Sequence, residues 1–310
     1  MRRALVTGAT GFIGRQALAP LKARGYELHA VARKLAADRP TDIAWHEADL
    51  LDRDARTALL RAVKPSHLLH LAWIAEHGVY WESPLNAAWI EASQDLVEQF
   101  QAAGGSRIVA AGTCAEYDWT APQLKEGDCV ERTTPRRPAT LYGQSKLRFA
   151  DWLAQRPGLS SAWGRLFFLH GPAEDARRLV PSVILAVLAG RAAAIGPGMQ
   201  IRDFLATQDA GAAFAALLDS EVTGPVNIAS GIGTAIADVA LRIGDLLGRR
   251  ELVQIGALPP RPGEPPRLVA DTTRLSREVG FRPAHDLESG LAATIGWWRM
   301  AQSSGLRQAG

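Results

Sequence analysis

The sequence predicts an α/β protein built on a doubly wound parallel sheet, and two observations carry that reading. Short apolar runs alternate with stretches of helical period, the pattern of strands covered on both faces by crossing helices. The first run, Ala4-Leu5-Val6-Thr7, opens directly into Gly8-Ala9-Thr10-Gly11-Phe12-Ile13-Gly14, with glycines three apart at a strand-to-helix turn. Such a turn leaves backbone N–H groups at the positive end of a helix dipole, where a dinucleotide pyrophosphate can sit. Gly8 serves the tight turn, Gly11 the close approach of a phosphate and Gly14 the contact of helix with sheet, so the sheet is expected to be Rossmann-like.

The elements follow in order. Strands are expected at Ala4–Thr7, Glu27–Ala32, Ile43–His46, His67–Ala72, Arg107–Gly112 and Ser161–Phe168, with helices beginning near Gly14, Asp54, Ser83 and Tyr142. After Pro172 the pattern changes. Pro181 to Gly190 reads as a helix, Gly196-Pro197-Gly198 as a turn, and the proline-rich run Pro259 to Pro266 as a loop, because proline fixes φ and lacks an N–H.

Composition bounds the function classes. A 310-residue chain with 47% apolar residues can bury a large core. Its apolar stretches stop short of a membrane span, and Met1-Arg2-Arg3 leads straight into the first strand, so no membrane partner, no signal peptide and a cytoplasmic location are expected. The cysteines Cys114 and Cys129 make no disulfide framework. A net charge of +3 with scattered arginines gives no basic stripe, so no nucleic-acid partner is expected.

The most chemical signal is Leu141-Tyr142-Gly143-Gln144-Ser145-Lys146. Four residues apart on a helix, Tyr142 and Lys146 share one face, and a cation beside a phenol is expected to lower its pKa toward neutrality, fitting it for general acid-base work.

With the glycine turn, these residues resemble the extended short-chain dehydrogenase/reductase family, the nucleotide-sugar epimerases, dehydratases and reductases. Further matches run along the chain: Glu47-Ala48-Asp49-Leu50, His70-Leu71-Ala72, Gly112-Thr113-Cys114-Ala115-Glu116-Tyr117, His170-Gly171-Pro172, Arg202-Asp203-Phe204, Asn227-Ile228-Ala229 and Arg261-Pro262-Gly263-Glu264 before Ala270-Asp271. The resemblance implies a smaller C-terminal substrate lobe, with a cleft between the lobes. Residues 1–172, with returning segments near 203–229, would bind the dinucleotide; residues 173–202 and 230–310 would bind substrate.

The same resemblance implies the site. Cofactor contact falls to Gly8, Thr10, Gly11, Phe12, Ile13, Gly14, Arg33, Asp49, Leu50, Leu71, Ala72, Tyr142 and Lys146, and catalysis to Thr113, Tyr142 and Lys146. Thr113 would hydrogen-bond the substrate oxygen beside the phenol, and Lys146 would hold the nicotinamide ribose. Family members that prefer NAD end the second strand in an acid that binds the ribose 2′-hydroxyl; Ala32 stands there, followed by Arg33 and Lys34, which suits the 2′-phosphate of NADP. NADP is therefore expected rather than NAD.

Substrate contacts fall to Trp73, Asn86 and Thr113, with Arg202 and Arg261 clamping a nucleotide diphosphate; an ion pair with Asp203 is the alternative for Arg202. Trp73 and Trp81 are placed to wall a pocket for a deoxygenated sugar edge, with Trp89 and Trp119 nearby. Phe168 replaces a family asparagine. The family's 4,6-dehydratases carry Asp-Glu after the catalytic threonine, where this chain has Cys114-Ala115. Glu116, read as a strand residue, should face away from Ala115. Cys114 is read as a small buried residue.

The expected activity is NADP-dependent reduction of a nucleotide-linked 4-keto-6-deoxy sugar by a Thr-Tyr-Lys triad. Alternatives are a nucleotide-sugar 4-epimerase, a reductase of a non-sugar carbonyl, and a cofactor-sensing regulator that has lost catalysis. A homodimer is also expected, because Leu147, Phe149, Ala150, Trp152 and Leu153 on one helix, and Leu85, Trp89, Leu96 and Phe100 on another, carry more apolar surface than one packed face requires.

Overall fold

The computed structural model describes residues 2–35, 37, 39–125, 127–260 and 263–303. Its first half alternates strand and helix: β1 (Arg3–Thr7), α1 (Gly14–Ala23), β2 (Glu27–Ala32), β3 (Ala44–Glu47), α2 (Arg53–Val63), β4 (His67–His70), α3 (Leu85–Ala102), β5 (Arg107–Thr113), α4 (Leu141–Ala154) and β6 (Ser160–Leu166). Then come β7 (Phe168–His170), α5 (Leu179–Leu188), β8 (Ala193–Ile195), β9 (Ile201–Ala206), α6 (Thr207–Asp219) and β10 (Gly224–Ile228). The last elements are β11 (Gly233–Ala235), α7 (Ile236–Leu246), β12 (Val253–Ile255), β13 (Arg267–Leu268) and α8 (Leu287–Ser303).

A seven-stranded parallel sheet runs in the order β10-β6-β5-β4-β1-β2-β3. The order reverses between β1 and β4, so the loops after these strands diverge and leave a crevice at their carboxyl ends. One face buries Ala17, Leu18 and Leu21 of α1 with Phe214, Leu217 and Leu218 of α6. The other buries Leu59 and Leu60 of α2, Leu96 and Phe100 of α3, and Phe149 and Leu153 of α4. Local chemistry starts the helices: Asp52 caps α2 by accepting from Asp54 N and Ala55 N, and the Thr140 hydroxyl accepts from Gly143 N of α4 at 3.1 Å.

The second sheet gathers β7, β11 and β13 around β9, and β8 pairs with β12. This corrects the expected lobe boundaries. The run Ser161–Phe168 is not one strand: the chain leaves the large sheet at Phe167, and Phe168 pairs with Phe204 of β9. Residues 203–206 therefore belong to the small sheet, and the chain returns to the large one only with α6 and β10. Strand His67–Ala72 likewise ends at His70, because Leu71 and Ala72 give their N–H groups to the Thr7 hydroxyl at 3.1 and 3.2 Å. Among the described residues, no helix is long and apolar enough to cross a membrane.

The apolar excess on α3 and α4 is smaller than the sequence suggests. Leu96, Phe100, Phe149 and Leu153 are spent on the chain's own core, leaving Leu85 exposed and Trp89, Leu147 and Trp152 half-buried.

Candidate active site

The crevice begins with the turn after β1. Gly8 adopts φ +66°, and a Cβ there would stand 2.9 Å from Ala72 N. Gly11 N donates to Gly8 O at 2.9 Å, and a Cβ on Gly14 would come within 2.1 Å of that same oxygen. The glycines therefore bring the turn, the start of α1 and the loop after β4 closer than side chains permit. Ile13 precedes α1 and no side chain caps its first turn, where Arg15 N donates to Gly11 O at 3.3 Å and Gln16 N to Ile13 O at 2.9 Å, so the positive end of the helix dipole carries no side-chain acceptor. Arg15, which sequence reasoning missed, straps the turn by donating to Thr10 O at 2.7 Å and Gly11 O at 3.1 Å. This cradle fits the pyrophosphate of a dinucleotide; Thr10, Phe12 and Ile13 lie on it, and Leu71 and Ala72 on the facing loop.

That facing loop is fixed by a buried relay. The Thr7 hydroxyl accepts from Leu71 and Ala72, so it donates to His70 Nδ1 at 2.8 Å, and His70 Nε2 is then left to donate to Ser93 Oγ at 2.9 Å. Burial pulls the His70 pKa down to about 3, with Lys146 adding, so its imidazole is neutral. At the end of β2, Ala32 is buried and Arg33 exposed. Asp49 is exposed with one oxygen accepting from Leu51 N at 2.9 Å, beside buried Leu50.

Two strands away, β5 delivers Thr113 and α4 delivers Tyr142 and Lys146. The Thr113 hydroxyl accepts from Ala115 N at 3.2 Å and lies near enough to the Tyr142 phenol to pull its pKa down. Tyr142 N donates to Trp81 O at 2.9 Å, and its ring lies edge-on to Tyr80 at 4.9 Å and to Trp81 at 5.8 Å. Lys146 is buried, its ammonium donating to Ala111 O at 2.9 Å and lying 3.9 Å from the Trp73 ring centroid.

The electrostatics correct one expectation. Burial, with Tyr80 and Glu116 adding, pushes the Tyr142 phenol up from its ordinary value, and the nearby Thr113 hydroxyl pulls only partly the other way. Lys146 takes the downward shift, to about 7, because burial disfavours its charge; Glu116 opposes that shift.

The substrate side is aromatic. Trp73 stacks between Phe149 and Trp89, with ring centroids 6.2 and 6.1 Å away, and its indole N–H donates to Asn86 Oδ1 at 2.8 Å. Asn86 is fully buried and gives its amide protons to Tyr80 O and Ser83 O. The expected substrate contact is thereby corrected: Asn86 orients Trp73 and the loop before α3, with both ends of its amide in use. Trp119 meets Trp81 edge-on at 6.3 Å and donates to Cys114 O at 3.2 Å. Burial pushes the Cys114 thiol up to about 12.

Arg202 on β9 is buried, donates to Ile201 O at 2.9 Å, lies 3.5 Å from Glu264 Oε2, and holds its guanidinium 5.4 Å from the Phe168 ring centroid. The apolar replacement at 168 thus becomes a platform for the cation. Arg202 does not pair with Asp203, whose carboxylate accepts instead from Ser230, Gly231 and Ala270. Arg261 lies outside the described residues.

Glu116 is the other residue the sequence misplaced. A 3-10 turn, Cys114–Glu116, follows β5, so strand alternation does not apply. Its fully buried carboxylate accepts from Thr113 N at 2.8 Å, Trp163 Nε1 at 2.9 Å and Arg165 Nε at 2.7 Å. The available signal was a pair of opposite charges, Glu116 and Arg165, set in otherwise apolar segments.

Comparison with known proteins agrees with the fold. The chain is 26% identical to a dTDP-glucose 4,6-dehydratase of Streptomyces griseus over 96% of its own length and 94% of the relative's. With the Shigella flexneri dTDP-glucose 4,6-dehydratase the identity is 33%, over 54% of this chain and about half of that relative, 49%. Among solved structures, the Thermus thermophilus UDP-glucose 4-epimerase in complex with NAD superposes with a TM-score of 0.83 at 28% identity, covering 96% of this chain and 99% of that one. Residues 4–230 match the model of one family, and on that match the chain belongs to the NAD dependent epimerase/dehydratase family.

Proposed function

We propose that the chain is an NADP-dependent reductase of a nucleotide-linked 4-keto-6-deoxy sugar. One observation carries this reading: the turn after Thr113 offers no free acid or base. Cys114 is buried, Ala115 has no proton to move, and Glu116 is engaged by Arg165, Trp163 and Thr113 N. Eliminating water from a hexose needs an acid and a base beyond the tyrosine, whereas carbonyl reduction needs one proton donor. Tyr142, with its phenol pKa raised, keeps that proton at neutral pH. Thr113 steadies the carbonyl oxygen, Tyr142 delivers the proton to it, and Lys146, one turn further along α4, is assigned by resemblance to the nicotinamide ribose. The nicotinamide dinucleotide, held by the glycine cradle, supplies the hydride when bound.

NADP is favoured because Ala32 removes the acid that would meet a ribose 2′-hydroxyl and Arg33 offers a guanidinium to a phosphate. Arg202 suits one phosphate of the nucleotide, with Arg261 assigned by resemblance alone. A second reading, a 4-epimerase, is supported by the likeness to the Thermus thermophilus enzyme. The protein is taken to work in the cytoplasm as a homodimer through α3 and α4.

The deciding assay mixes purified protein with nucleotide-linked 4-keto-6-deoxy sugars and NADPH or NADH, following absorbance of the reduced cofactor and the product by NMR. Stoichiometric, NADPH-preferring consumption is expected. Interconversion of UDP-glucose and UDP-galactose without net cofactor turnover would overturn the reductase in favour of the epimerase. Light scattering that gave a monomer mass would overturn the dimer.

A further inference from the structure

We propose that Glu116 is a positioning residue for the Thr113-Tyr142-Lys146 set, fixing Thr113 through its backbone and setting the field at Lys146 through its buried charge. The inference rests on the reading that these three residues are the reacting machinery.

A buried ion pair is a poor device for stability, since desolvating both charges offsets most of their attraction and an apolar pair often does as well. The pair Glu116–Arg165 is nearly free of solvent. What distinguishes it is its connections. Glu116 Oε1 accepts from Thr113 N and Trp163 Nε1; Oε2 accepts from Arg165 Nε and also meets Trp163 Nε1, at 3.1 Å. Arg165 donates onward to Glu131 O at 3.1 Å and meets Tyr117 OH at 3.4 Å. Tyr117 OH in turn donates to Asn227 Oδ1 at 2.8 Å. The carboxylate thereby ties the end of β5 to β6 and β10.

Two glycines make room for it. A Cβ at Gly112 would stand 2.1 Å from Trp163 Nε1 and 2.6 Å from Glu116 Oε1. A Cβ at Gly143 would stand 2.5 Å from Ala115 O, so the 3-10 turn seats directly on the helix that carries Tyr142 and Lys146. The Lys146 ammonium lies 6.0 Å from the centroid of the Trp163 ring, whose N–H holds the carboxylate.

The groups acting on Lys146 are neutral His70 from β4, Tyr142 from its own helix and Glu116 from the turn. Those around Glu116 are Arg165 from β6, Tyr117 and Cys114 from its own segment, Tyr142 and Lys146 from α4, and Glu131 behind Arg165. Arg165 approaches Oε2, whereas Oε1 is the oxygen on the Thr113 side. Removing the carboxylate therefore makes the Lys146 ammonium easier to deprotonate, and the shift keeps its sign when Arg165 is removed with it.

The test needs no substrate. In the full chain labelled with 13Cε-lysine, the Lys146 resonance is titrated by NMR in the unaltered protein, in Glu116→Gln and in the double variant Glu116→Gln/Arg165→Met, which removes both halves of the Glu116–Arg165 pair together. The unaltered midpoint is expected near 7, and both variants are expected to move it down, Glu116→Gln by about one unit. Where turnover is measurable, kcat should fall with KM nearly constant. A Lys146 midpoint unchanged in the folded double variant overturns the proposal. Failure of the reductase assay leaves the lysine titration intact, so the two readings fall separately.

Discussion

The turns after β1 and β5 stand at the same edge of one sheet and are built by opposite means. After β1 the chain relies mainly on backbone: glycine at positive φ and a helix start with no side-chain cap, strapped by Arg15. After β5 it uses side chains: the Thr113 hydroxyl accepts from Ala115 N, and the Glu116 carboxylate accepts from Thr113 N, closing a capping box. On the proposed reading, the first, open turn would bind an anion at an uncapped helix start, and the second, closed turn would act through bonds satisfied in advance.

The largest expected effect tests what the closed turn is for. Tyr142→Phe keeps the ring that packs on Tyr80 and Trp81 and removes the proton, so hydride transfer to the carbonyl should fall by about 10²–10⁴. NADPH binding at the open turn should barely change. Comparable losses in both would show that the two turns are not separable.

Next comes stability at the closed turn. Glu116→Ala strands the Arg165 guanidinium, whose side chain is 2% exposed, and should cost about 3–5 kcal/mol in urea unfolding. Glu116→Gln/Arg165→Met should recover most of that loss. A single alanine variant as stable as the unaltered protein would mean that water reaches Arg165 and that the turn is not closed. At the open turn, Gly8→Ala forces a Cβ onto φ +66° against Ala72 N and should cost about 1–3 kcal/mol, together with weaker NADPH binding. Dinucleotide affinity unchanged in that variant would remove the glycine turn from the cofactor site.

The two turns also differ in how far the sequence reveals them. Gly8, Gly11 and Gly14 advertise a backbone geometry within seven residues, and six of the seven strands of the large sheet follow from apolar period, β10 being the one not expected. The closed turn depends on Trp163 and Arg165, nearly fifty residues beyond Glu116, and no local pattern couples them. Asn86 was misread for the same reason: its type suits a helix start or a substrate equally, and only packing shows its oxygen on the Trp73 indole. The break of Ser161–Phe168 into β6 and β7 was hidden because both halves are apolar and only their partners differ. Tyr142 and Lys146 were legible as a pair, but the direction of their pKa shifts was not, since burial dominates both.

The smallest effect lies at the rim of the open turn, where charge rather than backbone would choose between cofactors. Arg33 is exposed, so the proposed contact with a 2′-phosphate would be screened by water and salt and worth about 1 kcal/mol, roughly fivefold in dissociation constant. Arg33→Ala should therefore narrow the ratio of NADPH to NADH affinity by that factor and leave NADH binding unchanged, because the pyrophosphate still meets the glycine turn. Raising the salt concentration should shrink the same ratio in the unaltered protein and have little effect on it in the variant. Equal affinities for the two cofactors in the unaltered protein at low salt would reject the NADP preference and return Ala32 to a neutral strand end, with the open turn serving either dinucleotide.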